Sequence, residues 1–395
     1  MRVIDAQDTG TIDKHVRATA EELAAVAADI DRGRVDPDGN YQLLRDSGLL
    51  RLLVPWESGG EGLSFLAYTK ALETLATGDC ATALGFNMHN VAIGSLCETA
   101  KSPLPEAAER FRTWVFKEVV ENGRMFASAT SETGAGAKLG HLQATYRAHG
   151  DAYVLNGTKS FVSLAGIADY YVVAAREEGS SEAREVSHFV VSRLDDGVAF
   201  SDPWDSAALR GTQTARMSLK DVRIPRARLF LGVEGLSLFK LMREPHWMVS
   251  GYMGAYLGIA ESILRLVVRL LKGNEHRRAS PVVQAQVGRL AVELKAARAM
   301  VYSAARLVDE EKGSLEANTA VHAAKYCIGE LAPRLALDAV RICGSGSLRT
   351  SEPLERLLRE AVFCSVMPAK PDECLEYVGK ATLGFNMFDA RNFNW

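Results

Sequence analysis

The chain has 395 residues, 47% hydrophobic and 24% charged, with a formal net charge of −3. That balance belongs to a globular protein with room for two or three layers or domains, and it supplies no basic field for nucleic acid. Six scattered cysteines (Cys80, Cys97, Cys327, Cys343, Cys364 and Cys374) form no C-x-x-C pair and no zinc spacing, so no metal is expected and the thiols read as those of a reducing compartment.

The opening stretch, "MRVIDAQDTGTIDKHVRATAEE", is polar and periodic, with no basic region leading into an apolar core. No segment reaches the roughly 18 apolar residues of a membrane span, so the expectation is a cytoplasmic protein without a membrane partner. Residues 11 to 120 read as helical. "TIDKHVRATAEELAAVAADID" repeats its apolar residues every three or four positions, and "YQLLRDSGLLRLLVP" is a short amphipathic helix ended near Gly48. After the glycine-rich "ESGGEGLS", two helices are expected, broken around Gly78-Asp79.

Near residue 122 the period changes to short runs rich in Val, Tyr, Phe and Ser, which predicts an antiparallel β domain. Asn156-Gly157 reads as a type I′ hairpin turn in preference to a glycosylation sequon. From about residue 235 helical periodicity returns and persists, with "GSGS" closing one helix. The expected architecture is α+β: an N-terminal helical domain (1–121), a middle β domain (122–234) and a C-terminal helical bundle (235–395). "GAGAKLG" is no Rossmann fingerprint, because strands flank it on both sides.

Four motifs lie in order along this frame: "GLLRLLVPWESGGEG" (48–62), "TSETGAGAK" (130–138), "NGTKSFVSLA" (156–165) and "ALRGTQTARMSLKDVRIP" (208–225). Together they resemble the acyl-CoA dehydrogenase superfamily, whose fold has a four-helix bundle as its C-terminal domain. The resemblance implies FAD, in preference to FMN, held by Thr130, Ser131, Gly136, Ala137, Phe161 and Ser163. The chemistry of these residues agrees: glycines let backbone approach a dinucleotide, hydroxyls bond a ring edge, and Phe161 offers a flat wall. The resemblance further implies that Gly344, Ser345 and Gly346 of "RICGSGS", with Arg277 and Arg278, reach the flavin of a neighbouring subunit in a homotetramer. Arg210 of "RGTQT" and Met248 are expected on the substrate side.

The resemblance also raises a difficulty. The family's catalytic glutamate falls here at Pro368, and its alternative, on the first C-terminal helix, falls at Met248. Asp372 and Glu373 of "PAKPDECLEYVG" are the nearest substitute bases, set against a reading in which Asp372 simply caps the last helix. Glu244, His246 and His89 are further candidates. The expected activity is FAD-dependent α,β-dehydrogenation of an acyl thioester, on CoA or a carrier protein, with electron-transfer flavoprotein or oxygen as acceptor. The alternatives are a flavin-dependent monooxygenase or N-hydroxylase acting on another small molecule, and, ranked last, a flavin-binding interaction protein.

Overall fold

The structure, a computed structural model, describes residues 9–392. Residues 1–8, on which the reading of the N-terminal stretch partly rests, lie outside the described residues.

Five helices come first: α1 (Thr9–Asp31), α2 (Asp38–Asp46), α3 (Phe65–Gly78), α4 (Cys80–Cys97) and α5 (Glu106–Val120). Gly48 closes the α2 segment in the left-handed region, at φ 71°, a conformation that favours glycine. The break at Gly78-Asp79 is a cap: the Asp79 carboxylate accepts from the Thr82 amide at 3.0 Å and starts α4. The α3 terminus is satisfied from two sides. Ser64 Oγ accepts from the Ala67 amide, and the distant Asp309 carboxylate accepts from the Phe65 and Leu66 amides at 2.7 and 3.0 Å.

Seven strands follow: β1 (Phe126–Ala129), β2 (Thr145–His149), β3 (Ala152–Val162), β4 (Tyr170–Glu177), β5 (Val186–Ser192), β6 (Val198–Ser201) and β7 (Ala215–Pro225). The sheet is mixed rather than antiparallel throughout. β4 pairs antiparallel with β5, but parallel with β1 (Phe126↔Tyr170) and, further along, with β2 (Thr145↔Arg176). Parallel partners are joined only through distant chain, so no local turn signal announces them.

The hairpin expectation at Asn156-Gly157 is corrected. Both residues lie inside β3, and the β2–β3 turn is at Gly150-Asp151, with His149 opposite Ala152. Asn156 instead marks a bulge against β7, its side chain exchanging hydrogen bonds with Asp221. Gly157 is required there because a Cβ would lie 2.6 Å from Ala144 Cα.

The C-terminal helices are α6 (Leu236–Arg243), α7 (His246–Val249), α8 (Met253–Lys272), α9 (Glu275–Arg278), α10 (Pro281–Glu311), α11 (Leu315–Cys343), α12 (Pro353–Phe363) and α13 (Pro371–Thr382). One apolar core runs through all three regions, from Leu23 and Tyr68 through Phe126 and Phe189 to Tyr256 and Ile328. Helix α8 lies close on α3 because Gly254 and Gly258, one turn apart, present no side chains to it. A Cβ on Gly258 would sit 2.5 Å from Glu73 O and 2.5 Å from Ala76 Cβ. Gly258→Ala is therefore expected to cost about 1–3 kcal/mol through overpacking, despite the better helix propensity of alanine, and chemical denaturation reads that loss directly.

Candidate active site

A cavity of about 510 Å³ opens where the β domain meets α4, α6, α7 and the segment after α12, within the range of ligand-sized pockets. Thr130, Ser131, Gly136, Ala137, Phe161 and Ser163 all line it.

These residues are held in place by a buried ion pair. β1 ends at Ala129, and the chain doubles back so that Glu132 and Gly136 exchange backbone hydrogen bonds at 2.9 Å. The buried Glu132 carboxylate accepts from Lys159 Nζ at 2.6 Å and from the amides of Gln143 and Ala144. Lys159 Nζ also donates to Thr130 O. Sequence reasoning missed this anchor. The signal was there, a lysine and a glutamate each inside a flavin motif, but only the folded loop brings them together.

Phe161 is aimed into the opening by a register shift between Lys159 and Val162. Its backbone is left-handed, at φ 54°, and its ring is 62% exposed. A bulky apolar side chain in that conformation is strained and unburied, as expected of one waiting for a partner. Trp204 stands edge-on between Phe161 and Phe363, with centroids 5.6 and 5.4 Å away, and completes an aromatic wall. Thr130 Oγ1 is buried without a hydrogen-bond partner. Gly134 and Gly136 have positive φ, and a Cβ at either would meet nothing within 4 Å. An orphaned hydroxyl, an exposed flat ring and bare backbone beside it fit a flavin dinucleotide.

The other half of the lining belongs to α4 and α6. Ser237, Lys240, Leu241 and Glu244 recur at i, i+3, i+4 and i+7, which puts them on one face of α6 and its C-cap, towards the cavity. Lys240 Nζ donates to Ser95 Oγ and lies 4.4 Å from the Phe230 ring centroid. Desolvation at the cavity wall lowers its pKa to about 8. Among the described residues Glu244 is the one carboxylate in the lining. Lys312 holds it, with Nζ 3.8 Å from Glu244 Oε1 and 3.3 Å from Glu98 Oε2.

The remaining candidates sit elsewhere. Asp372 is exposed in the first turn of α13, and Glu373 turns back to accept from the Lys370 amide at 2.8 Å. Neither reaches the cavity, because the α13 terminus uses Glu373 as a cap. His89 is fully buried: the Phe126 amide donates to Nδ1 and Nε2 donates to Leu50 O, which fixes a neutral tautomer in a packing role. His246 pairs with Glu98 at 2.8 Å. Arg210 reaches away from the cavity to Asp31 O and Ser206 O, tying the β domain to α1. Arg277 caps α11 through the carbonyls of Ile342 and Cys343, and Arg278 is an exposed partner of Glu275. Gly344, Ser345 and Gly346 follow α11, outside the lining. Met248 and Pro368 do line the cavity.

The cavity wall from Val366 to Pro368 is itself clamped. Buried Lys325 donates to the carbonyls of Cys364, Met367 and Ala369, the last two at 3.2 Å, with Tyr256 beneath the ammonium.

Burial also lowers the pKa of two histidines, His89 and His322, to about 4. An unfolded chain takes up these protons near pH 6.5, whereas the folded chain refuses them until near pH 4. Stability is therefore present above pH 6.5 and is lost as pH falls, by about 1.4 kcal/mol per pH unit for each histidine. Denaturation midpoints measured from pH 7 down to 5 are expected to fall steeply; flat midpoints would contradict the burial.

Three models of one family match the chain: the acyl-CoA dehydrogenase N-terminal domain over residues 7–100, the middle domain over 127–222 and the C-terminal domain over 250–367. The human short-chain specific acyl-CoA dehydrogenase of mitochondria is 29% identical over 347 residues, covering 86% of this chain and 81% of its own. The rat protein of the same name is 28% identical over the same length and shares. Among solved structures, a chain from work on the electron transferring flavoprotein of Acidaminococcus fermentans superposes with a TM-score of 0.85 at 25% identity, covering 97% of this chain and 100% of that one. Butyryl-CoA dehydrogenase from Megasphaera elsdenii shares the fold, with a TM-score of 0.84 at 22% identity over 97% and 99% of the two chains. With family models across all three regions and a cavity shaped for a flavin, this chain belongs to the acyl-CoA dehydrogenase superfamily and is a FAD-dependent oxidoreductase of acyl thioesters.

Proposed function

We propose that the chain oxidises the Cα–Cβ bond of its acyl thioester with Glu244 as the base, in place of the glutamate that the family sets at the positions of Pro368 or Met248. The observation that carries this is the single carboxylate in the cavity lining. Thr130, Ser131, Gly136, Ala137, Phe161 and Ser163 hold FAD from this chain. Bound FAD supplies the acceptor for the hydride that leaves Cβ. Glu244 takes the α-proton, and Lys312, 3.8 Å away, orients its carboxylate. Lys325 fixes the wall after α12, which shuts water out of the reacting end.

Gly344 to Gly346, with Arg277 and Arg278, serve the flavin of a neighbouring copy in a homotetramer. Exposed Val282 and Val292 on α10 and Leu337 on α11 support such contacts between copies. Electron-transfer flavoprotein is the proposed acceptor. Anaerobic mixing of FAD-loaded enzyme with a panel of acyl-CoAs is the test: bleaching of the flavin near its long-wavelength maximum is expected. If no thioester bleaches it, the assignment fails.

A further inference from the structure

Lys159 and Lys325 are buried and have their charge answered, whereas Lys240 is half-buried on the cavity wall. Lys159 has Glu132, and Lys325 has three carbonyl oxygens. Lys240 is different. Its ammonium has one hydroxyl, Ser95 Oγ, and the face of Phe230, and among the described residues no carboxylate lies within 4.0 Å of it. The two nearest acids are otherwise engaged: Glu98 with His246, Trp247 and Lys312, and Glu244 with Lys312. An ammonium on the wall of a mostly apolar cavity, with two donors unused, is a ready partner for a ligand that brings a negative charge.

The surrounding groups make a site around it. Ser95 comes from α4 and Ser237 from α6, with Ser237 Oγ 2.7 Å from His188 Nδ1, and all four residues line the cavity. A cation flanked by two hydroxyls is matched by a carboxylate, which accepts from all three. Lys240 and Glu244 are four residues apart, a rise of about 6 Å along the helix. We propose that Lys240, with Ser95 and Ser237, binds a carboxylate on the acyl chain itself, so that the substrate is the monothioester of a short dicarboxylic acid. The span from the carbon served by Glu244 to the ammonium suits a diacid of about four to six carbons. The chain length rests on the role given to Glu244; the anion site does not.

The test is equilibrium binding to the FAD-loaded enzyme, under anaerobic conditions and read independently of turnover. The probes are mono-CoA thioesters of dicarboxylic acids of four to six carbons, against methyl-ended acyl-CoAs of the same length. The CoA portion is common to both and cancels. Wild-type enzyme is expected to bind the diacid thioester at least about tenfold more tightly, as one charge-assisted hydrogen-bond set supplies. Lys240→Met should erase that preference while leaving methyl-ended binding within about threefold, and Ser95→Ala should weaken it in part. Equal or weaker diacid binding by wild type overturns the proposal without any variant being made. A diacid preference without flavin bleaching would sink the dehydrogenation reading and leave the anion site standing. Bleaching by methyl-ended chains in preference to diacids would do the reverse.

Discussion

Glu244→Gln is expected to slow anaerobic flavin reduction by an acyl thioester by about 10²–10⁴-fold, the usual worth of a positioned base. The substitution keeps the shape of the side chain and removes only its ability to take a proton. Bound FAD and thioester affinity should stay close to wild type, so that the loss appears in the rate of bleaching rather than in its concentration dependence. Asp372→Asn and Glu373→Gln are the controls. Asp372 faces solvent and Glu373 caps α13, so both should leave the rate within about twofold; Glu373→Gln retains even the cap. A slow Glu373→Gln enzyme beside a normal Glu244→Gln enzyme would return the base to the C-terminal loop.

Arg356→Met should lower stability by about 3–5 kcal/mol, the cost of removing the cation from a buried cluster of acids. Arg356 on α12 lies 3.4 Å from Asp79, the α4 cap, and 3.0 Å from Glu360; both carboxylates are almost fully buried. Burial pushes Glu360 up to about 7 even with Arg356 beside it, so the acid has little tolerance for losing that partner. Glu360→Gln removes the charge instead of stranding it and should cost about 1 kcal/mol or less. Urea denaturation separates the two variants, and equal losses would contradict the pairing. Phe363, at the end of the same helix, and Val366, just after it, line the cavity, so Arg356→Met should also release FAD more readily.

Much of this protein was legible because its signals are local. Three-and-four spacing marked the helices, Asp79 after Gly78 announced a cap, and four ordered motifs placed the flavin residues, six of which line one cavity. Where long-range geometry decided, local reading failed. Asn156-Gly157 has the composition of a hairpin turn, but the pairing of β3 with β7 absorbs it as a bulge. The carboxylates of "PAKPDECLEYVG" stand close in sequence to the expected base, yet the unsatisfied amides at the start of α13 claim Glu373.

The sequence by itself determined the helix–sheet–helix order, the family and the flavin, since each follows from periodicity or from residues contiguous in a motif. Only the tertiary structure decided which acid and which cation line the cavity. Glu244 and Lys240 carry no motif, and their meaning comes from one helix face turned towards a cavity that α4, β5 and the segment after α12 enclose from far along the chain. Their position on the cavity wall, a property of the packed molecule, is what makes those two charges available to a ligand.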